Sequence, residues 1–247
     1  MRTANPALNQ KTFEGVRGMA DVEAMTIQGT VNKTGLLLIL TALPAAWVWN
    51  QFFAAQNPAV AVPWMLGGAI LGFIIALVTI FKKEWAMVTA PAYAICEGLF
   101  LGGISAFYEL QFRGIVIQAV ALTFGTLAAL LLAYKSGLIK ATENFKLGVA
   151  AATGGIALVY ILSMVLGFFG MRIPYLHDTG PIGIGISVFI VIIAALNLVL
   201  DFDFIEQGAT QGAPKYYEWY ASFALLVTLI WLYLEILRLL AKLRSRR

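Results

Sequence analysis

The chain has 247 residues, of which 60% are hydrophobic and only 12% are charged, and its mean hydropathy is +0.83. A water-soluble domain carries roughly a quarter charged residues, so this chain lacks the polar surface that a globule in water needs. The net charge of +4 comes from basic residues in short segments between apolar runs, a pattern typical of membrane topology signals and not of nucleic-acid binding. We therefore predict an integral membrane protein whose surroundings are a lipid bilayer.

Residues 1–34 are polar and of mixed charge, and the first long apolar run begins only at Gly35. A signal peptide would have a short apolar core near its start, followed by small residues at a cleavage site. We therefore interpret residues 1–34 as a cytoplasmic N-terminal segment without a cleaved signal, able to form a helix along the membrane surface.

Seven apolar runs follow, each near the ~20 residues that a spanning helix needs. They cover about 35–54, 60–81, 85–107, 114–134, 147–169, 182–201 and 219–240. Barrel strands would alternate polar and apolar residues, and these continuous runs do not. The sequence therefore predicts an all-α polytopic protein: a seven-helix transmembrane bundle over 35–240 and a basic C-terminal tail over 241–247.

The spacings Gly68-x-x-x-Gly72 and Gly98-x-x-x-Gly102 lie within these runs. Small residues four apart let membrane helices approach closely, although glycine is common in such helices and generic packing is the simpler interpretation.

Basic residues predict the topology. With the N-terminus inside, the inner segments before the seventh span hold ten Lys and Arg residues, and the outer loops hold only Arg113 and Arg172. The basic tail contradicts this pattern, because a seventh full span would place it outside. The last run is therefore either a full span held in place by the other six, which we favour, or a re-entrant helix.

Catalytic and metal-binding motifs are scarce. One cysteine, Cys96, excludes a disulfide within the chain and a thiolate cluster, and one histidine, His177, excludes a multi-histidine zinc site. Phosphate-binding glycine motifs and the GxSxG nucleophile motif do not occur. We expect a protein that is not an enzyme and has no resident cofactor.

Four acids fall within or at the ends of apolar runs, where an ionised carboxylate is costly and is retained mostly for function. They are Glu97, Asp201, Asp203 and Glu235. Glu97 lies beyond Pro91 and can alternatively be a protonated carboxyl that bonds a carbonyl freed by that proline. Asp203 is nearer the loop and is expected to be solvated, like Glu206.

Asp201 and Asn197 are four apart, so a helix places them on one face. Asp201 can alternatively be an interfacial acid whose carboxylate reaches water. Glu235 is three residues before Arg238, so a local ion pair on one helix face is the alternative interpretation there.

Two carboxyl groups brought together in a low dielectric share a proton, because like charges disfavour double ionisation. The apparent pKa values of such a pair rise, so the pair can respond to pH without a histidine. The deprotonated pair would attract a hard cation through its oxygen ligands. A pH-gated cation path is what such a pair can provide.

The ending Leu200-Asp-Phe-Asp-Phe-Ile205 of the sixth span, together with Leu232-Tyr-Leu-Glu-Ile-Leu-Arg238 in the seventh, resembles the transmembrane Bax inhibitor motif family, most closely a bacterial branch. The resemblance covers nearly all of the chain beyond residue 25. It implies a bundle with the last helix at the centre of six others, and a pH-sensitive calcium leak controlled by carboxylates on spans six and seven.

The resemblance assigns the span-six aspartate to Asp201 and the span-seven acid to Glu235, here Glu where the family motif has Asp. The interval between them is longer than in the best-known bacterial relatives, and span two lacks the supporting charges of some relatives, for which Glu97 can substitute. If the two acids differ in depth, Glu218 is the rival partner for Asp201.

The leading hypothesis is thus a passive, calcium-permeable leak channel of a bacterial cytoplasmic membrane, gated by protons at Asp201 and Glu235, which would also bind Ca²⁺ transiently. The alternative is a membrane stress modulator that binds membrane proteases or other membrane proteins through residues 1–34 and transports nothing. A proton-coupled transporter would also need buried acids.

Overall fold

The structure is a computed structural model, and it describes residues 23–55, 57–171 and 178–246. Its seven long helices are all apolar enough to cross a membrane. They are α1 (Ile27–Ala55), α2 (Val62–Phe81), α3 (Ala86–Gln111), α4 (Ile115–Lys135), α5 (Glu143–Phe168), α6 (Pro181–Thr210) and α7 (Tyr217–Ser245). The predicted all-α, seven-span class is confirmed.

Three helices extend well beyond the predicted apolar runs. The first helix begins at Ile27, inside the segment predicted to precede the membrane, while α6 continues to Thr210 and α7 to Ser245. Hydropathy marks only the part of a helix that suits hydrocarbon, whereas backbone hydrogen bonding continues into the polar flanks. The predicted boundaries at 34, 201 and 240 are therefore not helix ends. Residues 1–22 of the predicted N-terminal segment, and His177, lie outside the described residues.

The chain divides into two compact units. The N-terminal unit comprises the described residues within Lys11–Val116 and Phe204–Val227, and the C-terminal unit comprises those within Ile117–Asp203 and Thr228–Arg247. The division falls within α6 and α7, so each of these helices contributes one part to each unit.

In the N-terminal unit, glycines bring α1, α2 and α3 together. A Cβ atom added to Gly98 would lie 2.3 Å from the Thr41 carbonyl oxygen of α1, and one added to Gly68 would lie 2.5 Å from the Cys96 carbonyl oxygen of α3. These distances are shorter than any real contact of a side-chain carbon, so only glycine permits the approach. The simpler interpretation of these two spacings, generic packing, was therefore wrong, and the alternative of a close helix approach is what the structure has.

The start of α1 is joined to the segment before α7 in the same unit. Ala24 and Pro214 form an isolated antiparallel bridge, with Met25 N–H donating to the Ala213 carbonyl at 2.6 Å. Lys215 donates to the Glu23 carboxylate, which raises the pKa of the lysine by hydrogen bonding and charge attraction. The loop between α6 and α7 therefore fixes the position of the residues that precede α1.

The core of the C-terminal unit lies between α5, α6 and α7. Ile156, Ile190 and Ile193 are buried there against partly buried neighbours that include Trp231. At the end of α7, Lys242 Nζ donates to the Gly183 carbonyl at 3.1 Å, and Arg244 Nη2 donates to Gln118 Oε1 at 2.8 Å. The end of α7 thus lies beside the starts of α6 and α4.

α7 is the most buried of the seven helices. Of its most apolar 18-residue window, 61% is buried, against 6% for α5. Burial of this extent agrees with the expectation of a last helix surrounded by protein. Its 29 residues extend over about 43 Å at 1.5 Å per residue, more than the ~30 Å of hydrocarbon, so it is long enough for the full span that the sequence favours.

Candidate functional site

Asp201 is a buried acid within the last third of a continuous helix. It is 2% exposed and lies about two and a half turns before α6 ends at Thr210. One turn earlier, Asn197 is also buried, and its Nδ2 donates to Thr153 Oγ1 of α5 and to the Ile193 carbonyl, both at 2.8 Å. This amide fixes the polar face of α6 against α5 beside Asp201.

Glu235 is the second buried acid of the C-terminal unit, also 2% exposed. Arg238 Nη1 donates to both of its carboxylate oxygens at 3.0 Å, so the local ion pair considered from the spacing is present. Tyr160 of α5 donates its hydroxyl proton to Glu235 Oε1 at 2.8 Å and accepts from Arg238 Nη1 at 2.5 Å.

This three-residue arrangement fits an ionised glutamate. Both of its oxygens act as acceptors, and charge-assisted hydrogen bonds offset part of the cost of placing a carboxylate in a low dielectric. The Arg238 guanidinium also lies 5.3 Å from the centre of the Tyr160 ring, a cation–π contact.

Asp201 and Glu235 belong to the same compact unit, on α6 and α7, as the sequence suggested. Their sharing of a proton stays a prediction. Within the part of the chain that the structure describes, no group of three or more His, Cys, Asp and Glu side chains is placed to hold a metal ion. Two carboxylates with amide or hydroxyl neighbours can still bind a passing hard cation weakly through oxygen.

The expectation that Asp203 is solvated was wrong. Its side chain is 18% exposed, and its Oδ2 lies 2.7 Å from Nζ of Lys146, which is itself buried. A lysine near the start of α5 thus pairs with an acid two residues beyond Asp201. Glu206, one turn further along α6, is exposed as expected.

Glu218, the rival partner proposed for Asp201, has a different set of contacts. It is 1% exposed in the first turn of α7 and belongs to the N-terminal unit. The Thr26 backbone N–H and hydroxyl each donate to its Oε1 at 2.9 Å, and Lys33 Nζ donates to its Oε2. The carboxylate therefore joins the start of α7 to the start of α1.

Glu97 also belongs to the N-terminal unit and not to the unit of Asp201 and Glu235. Its carboxyl hydrogen-bonds to the side chain of Tyr93, one turn earlier on α3. A Cβ atom added to Gly72 of α2 would lie 3.0 Å from its Oε1. The partner found for this acid is thus a tyrosine, where the sequence suggested a carbonyl freed by Pro91.

Two residues that pair with these acids were not predicted from the sequence. Tyr160 gave no signal because a tyrosine in an apolar run is ordinary. Lys146 was counted among the loop residues, yet Thr142 caps α5 by accepting from the Phe145 N–H at 3.3 Å. A threonine followed by Glu143 is a helix-start signature, and recognising it would have placed Lys146 inside the helix.

The comparisons with known proteins give one partial relative and one family. A stretch of 129 residues is 27% identical to the PTS system 2-O-alpha-mannosyl-D-glycerate-specific EIIABC component of Escherichia coli (strain K12), covering 52% of this chain and 19% of that protein. The chain thus spans about a fifth of that relative's length, so the relative's activity is not assigned to this chain. No solved structure matches the chain. Residues 5–245 match the family described as Bax inhibitor 1 like. This multi-pass membrane protein therefore belongs to the Bax inhibitor 1 like family.

Proposed function

We propose that the protein is a pH-sensitive, passive calcium-permeable leak channel that catalyses no reaction. The observation that carries the proposal is the burial of two carboxyl groups, Asp201 and Glu235, each 2% exposed, in helices long and apolar enough to cross a membrane. An ionisable group at such a place is costly and is retained mostly where it serves ion or proton movement.

The proposed gate uses the proton occupancy of the two acids. At low pH they share a proton and disfavour cation entry, because the negative charge is reduced. As the pH rises the proton leaves, and the carboxylate oxygens, with the Asn197 and Tyr160 groups nearby, offer the hard oxygen ligands that Ca²⁺ prefers. No resident cofactor is needed, since calcium is the permeating ion.

We place the protein in a bacterial cytoplasmic membrane with the start of α1 on the cytoplasmic side. The excess of Lys and Arg in the segments on that side supports this orientation. The basic end of α7 is then on the opposite side, where Lys242 and Arg244 are engaged by the starts of α6 and α4.

The Asp201→Asn variant is expected to lose the rise of calcium flux with pH. Asparagine has nearly the same shape as aspartate but cannot ionise, so the site stays in its low-flux state at every pH. The measurement is calcium entry into proteoliposomes loaded with a calcium-sensitive dye, between about pH 5 and 8. Glu235→Gln should behave in the same way.

The matched control is Glu206→Gln, which removes an exposed acid from the same helix and should leave the pH profile unchanged. A wild-type pH profile in Asp201→Asn would remove this residue from the gate. Concentrative uptake against a calcium gradient, driven by protons, would replace the channel with a transporter.

A second candidate function is that of a membrane stress modulator that binds a membrane protease or another membrane protein without moving ions. The observation that favours it is the attachment of the segment around Glu23–Met25 to Ala213–Lys215 beside α7. A partner that pulled on the preceding residues would act through this attachment on the start of α7.

Removal of residues 2–22 distinguishes the two functions. This truncation spares Glu23, Thr26 and Lys33, so α1 keeps its contacts with α7. A channel should keep at least about half of its calcium flux in liposomes, because Asp201 and Glu235 are untouched. Complete loss of flux in a folded truncated protein would contradict this, and loss of co-purifying membrane proteins alone would favour the modulator.

A further inference from the structure

Lys146 is a buried ammonium group near the start of α5. Only 2% of the residue is exposed, although burying a lysine costs several kcal/mol unless its charge is balanced. It is the fourth residue of a helix whose first turn carries a partial positive charge from the backbone, so the helix itself disfavours a cation there. Other groups must hold it in place.

Two acids from two helices do so. Asp203 of α6 lies 2.7 Å from Lys146 Nζ, and Glu143 in the first turn of α5 lies 3.6 Å from it. Glu143 is 64% exposed and Asp203 is 18% exposed, so the ammonium has a mostly covered acid on one side and an acid open to solvent on the other. This is the order of oxygen ligands that a cation entering from solvent would meet.

The position of this cluster relates it to the proposed path. Asp203 is two residues from Asp201 along α6, so its side chain leaves a different face of the helix at nearly the same height along the helix axis. Near the start of α6, the Gly183 carbonyl oxygen accepts a hydrogen bond from Lys242 of α7, which is a second buried lysine. The stretch from Gly183 to Asp203 is about 30 Å long, close to the thickness of bilayer hydrocarbon.

We propose that Lys146 is a tethered cation that restricts the entry of divalent cations at the Asp203 end of α6. Its ammonium occupies the oxygen ligands of Asp203 and Glu143, and its charge repels an approaching cation. A calcium ion passes only after displacing the ammonium from Asp203, so Lys146 sets the basal leak. This inference rests on the proposed channel function and adds to it a residue that limits the flux.

Removal of the charge tests the inference in proteoliposomes of the full chain. Lys146→Met and Lys146→Gln are both expected to raise calcium flux on the order of tenfold at every pH, since one nearby unit charge can change an entry barrier by more than the ~1.4 kcal/mol that a tenfold change in rate requires. The glutamine variant keeps a hydrogen-bond donor for Asp203 and guards against a folding failure of the methionine variant. Lys146→Arg should retain the low flux.

Two further variants separate the charge at this site from general effects. Lys140→Met removes the same charge from an exposed position three residues before α5 and should leave the flux unchanged. Adding Asp203→Asn to Lys146→Gln removes the ligand as well and should cancel most of the increase. An increase that persists in the double variant would overturn the assignment of Asp203 as the ligand.

A binding measurement makes the result independent of transport. Mn²⁺ binding to detergent-solubilised protein, followed by electron paramagnetic resonance, should show a site in Lys146→Gln that is weaker or missing in the wild type and in the double variant. If Lys146→Gln gains Mn²⁺ binding but no variant conducts calcium, the channel proposal is overturned and the displaced-cation site is retained. Wild-type flux with no gain of flux or binding in either Lys146 variant would overturn the inference and leave the channel intact.

Discussion

Gly98→Ala is expected to lower the unfolding free energy of the protein by about 1–3 kcal/mol, the range for forced overpacking. The new Cβ would lie 2.3 Å from the carbonyl oxygen and 3.1 Å from the carbonyl carbon of Thr41, and 3.2 Å from Pro44 Cβ. Because the first two atoms are backbone, no side-chain rotation can relieve the contact. α1 and α3 would have to move apart.

The same geometry repeats one turn along α3, where a Cβ on Gly102 would lie 2.5 Å from the Ala45 carbonyl oxygen. Movement of α1 would therefore loosen several contacts together, so Gly98→Leu should prevent a folded state from being purified. The measurement is the thermal unfolding midpoint of detergent-solubilised protein, followed by circular dichroism or by thiol labelling of Cys96.

The control is Gly125→Ala on α4, where an added Cβ meets nothing within 4 Å. Alanine is the better helix former by about 1 kcal/mol, so this variant should be as stable as the wild type or more so. A Gly98→Ala protein as stable as Gly125→Ala would show that the two helices are further apart than described.

Glu218→Ala should cost about 3 kcal/mol of stability, the low end of the range for removing one partner of a buried ion pair. The carboxylate accepts two hydrogen bonds from Thr26 and one from Lys33, whose side chain is only 18% exposed. Its loss leaves the Lys33 ammonium, 5.4 Å from the Trp219 ring centre, without that carboxylate. Glu218→Gln should cost less, because an amide oxygen still accepts.

A double-mutant cycle with Lys33→Met isolates this pair. The double variant is expected to be more stable than the sum of the two single losses predicts, with a coupling of about 1 kcal/mol or more. Additive losses would show that the two side chains do not interact. Glu206→Ala, an exposed acid, is the control and should change the midpoint little.

The acids with little solvent exposure follow one physical rule, although they serve different parts of the molecule. Glu218 holds two helix starts together, Glu235 is held by Arg238 and Tyr160, and Asp203 is held by Lys146. Because a carboxylate in a low dielectric needs cations or donors, the position of an acid in an apolar run predicts that partners exist. It does not predict which residues they are.

Sequence spacing identified only the partners that lie on the same helix. Glu235 and Arg238 are three residues apart, so the helix period alone brings them together. Lys33 and Glu218 are 185 residues apart, and Tyr160 and Glu235 are 75 apart. No local pattern specifies such pairs, and for this reason Asp203 was wrongly expected to be solvated and Glu218 was considered as a partner for Asp201.

The sequence by itself determined the membrane class, the all-α fold and the number of helices long and apolar enough to span. These follow from local composition, because in hydrocarbon every backbone polar group must be satisfied within a helix, so apolar length alone defines a span. The tertiary structure decided where the helices end, how deeply α7 is buried, and which cations meet Glu218 and Glu235. Those outcomes depend on contacts between helices far apart in the chain, where packing and charge balance act together and hydropathy carries no information.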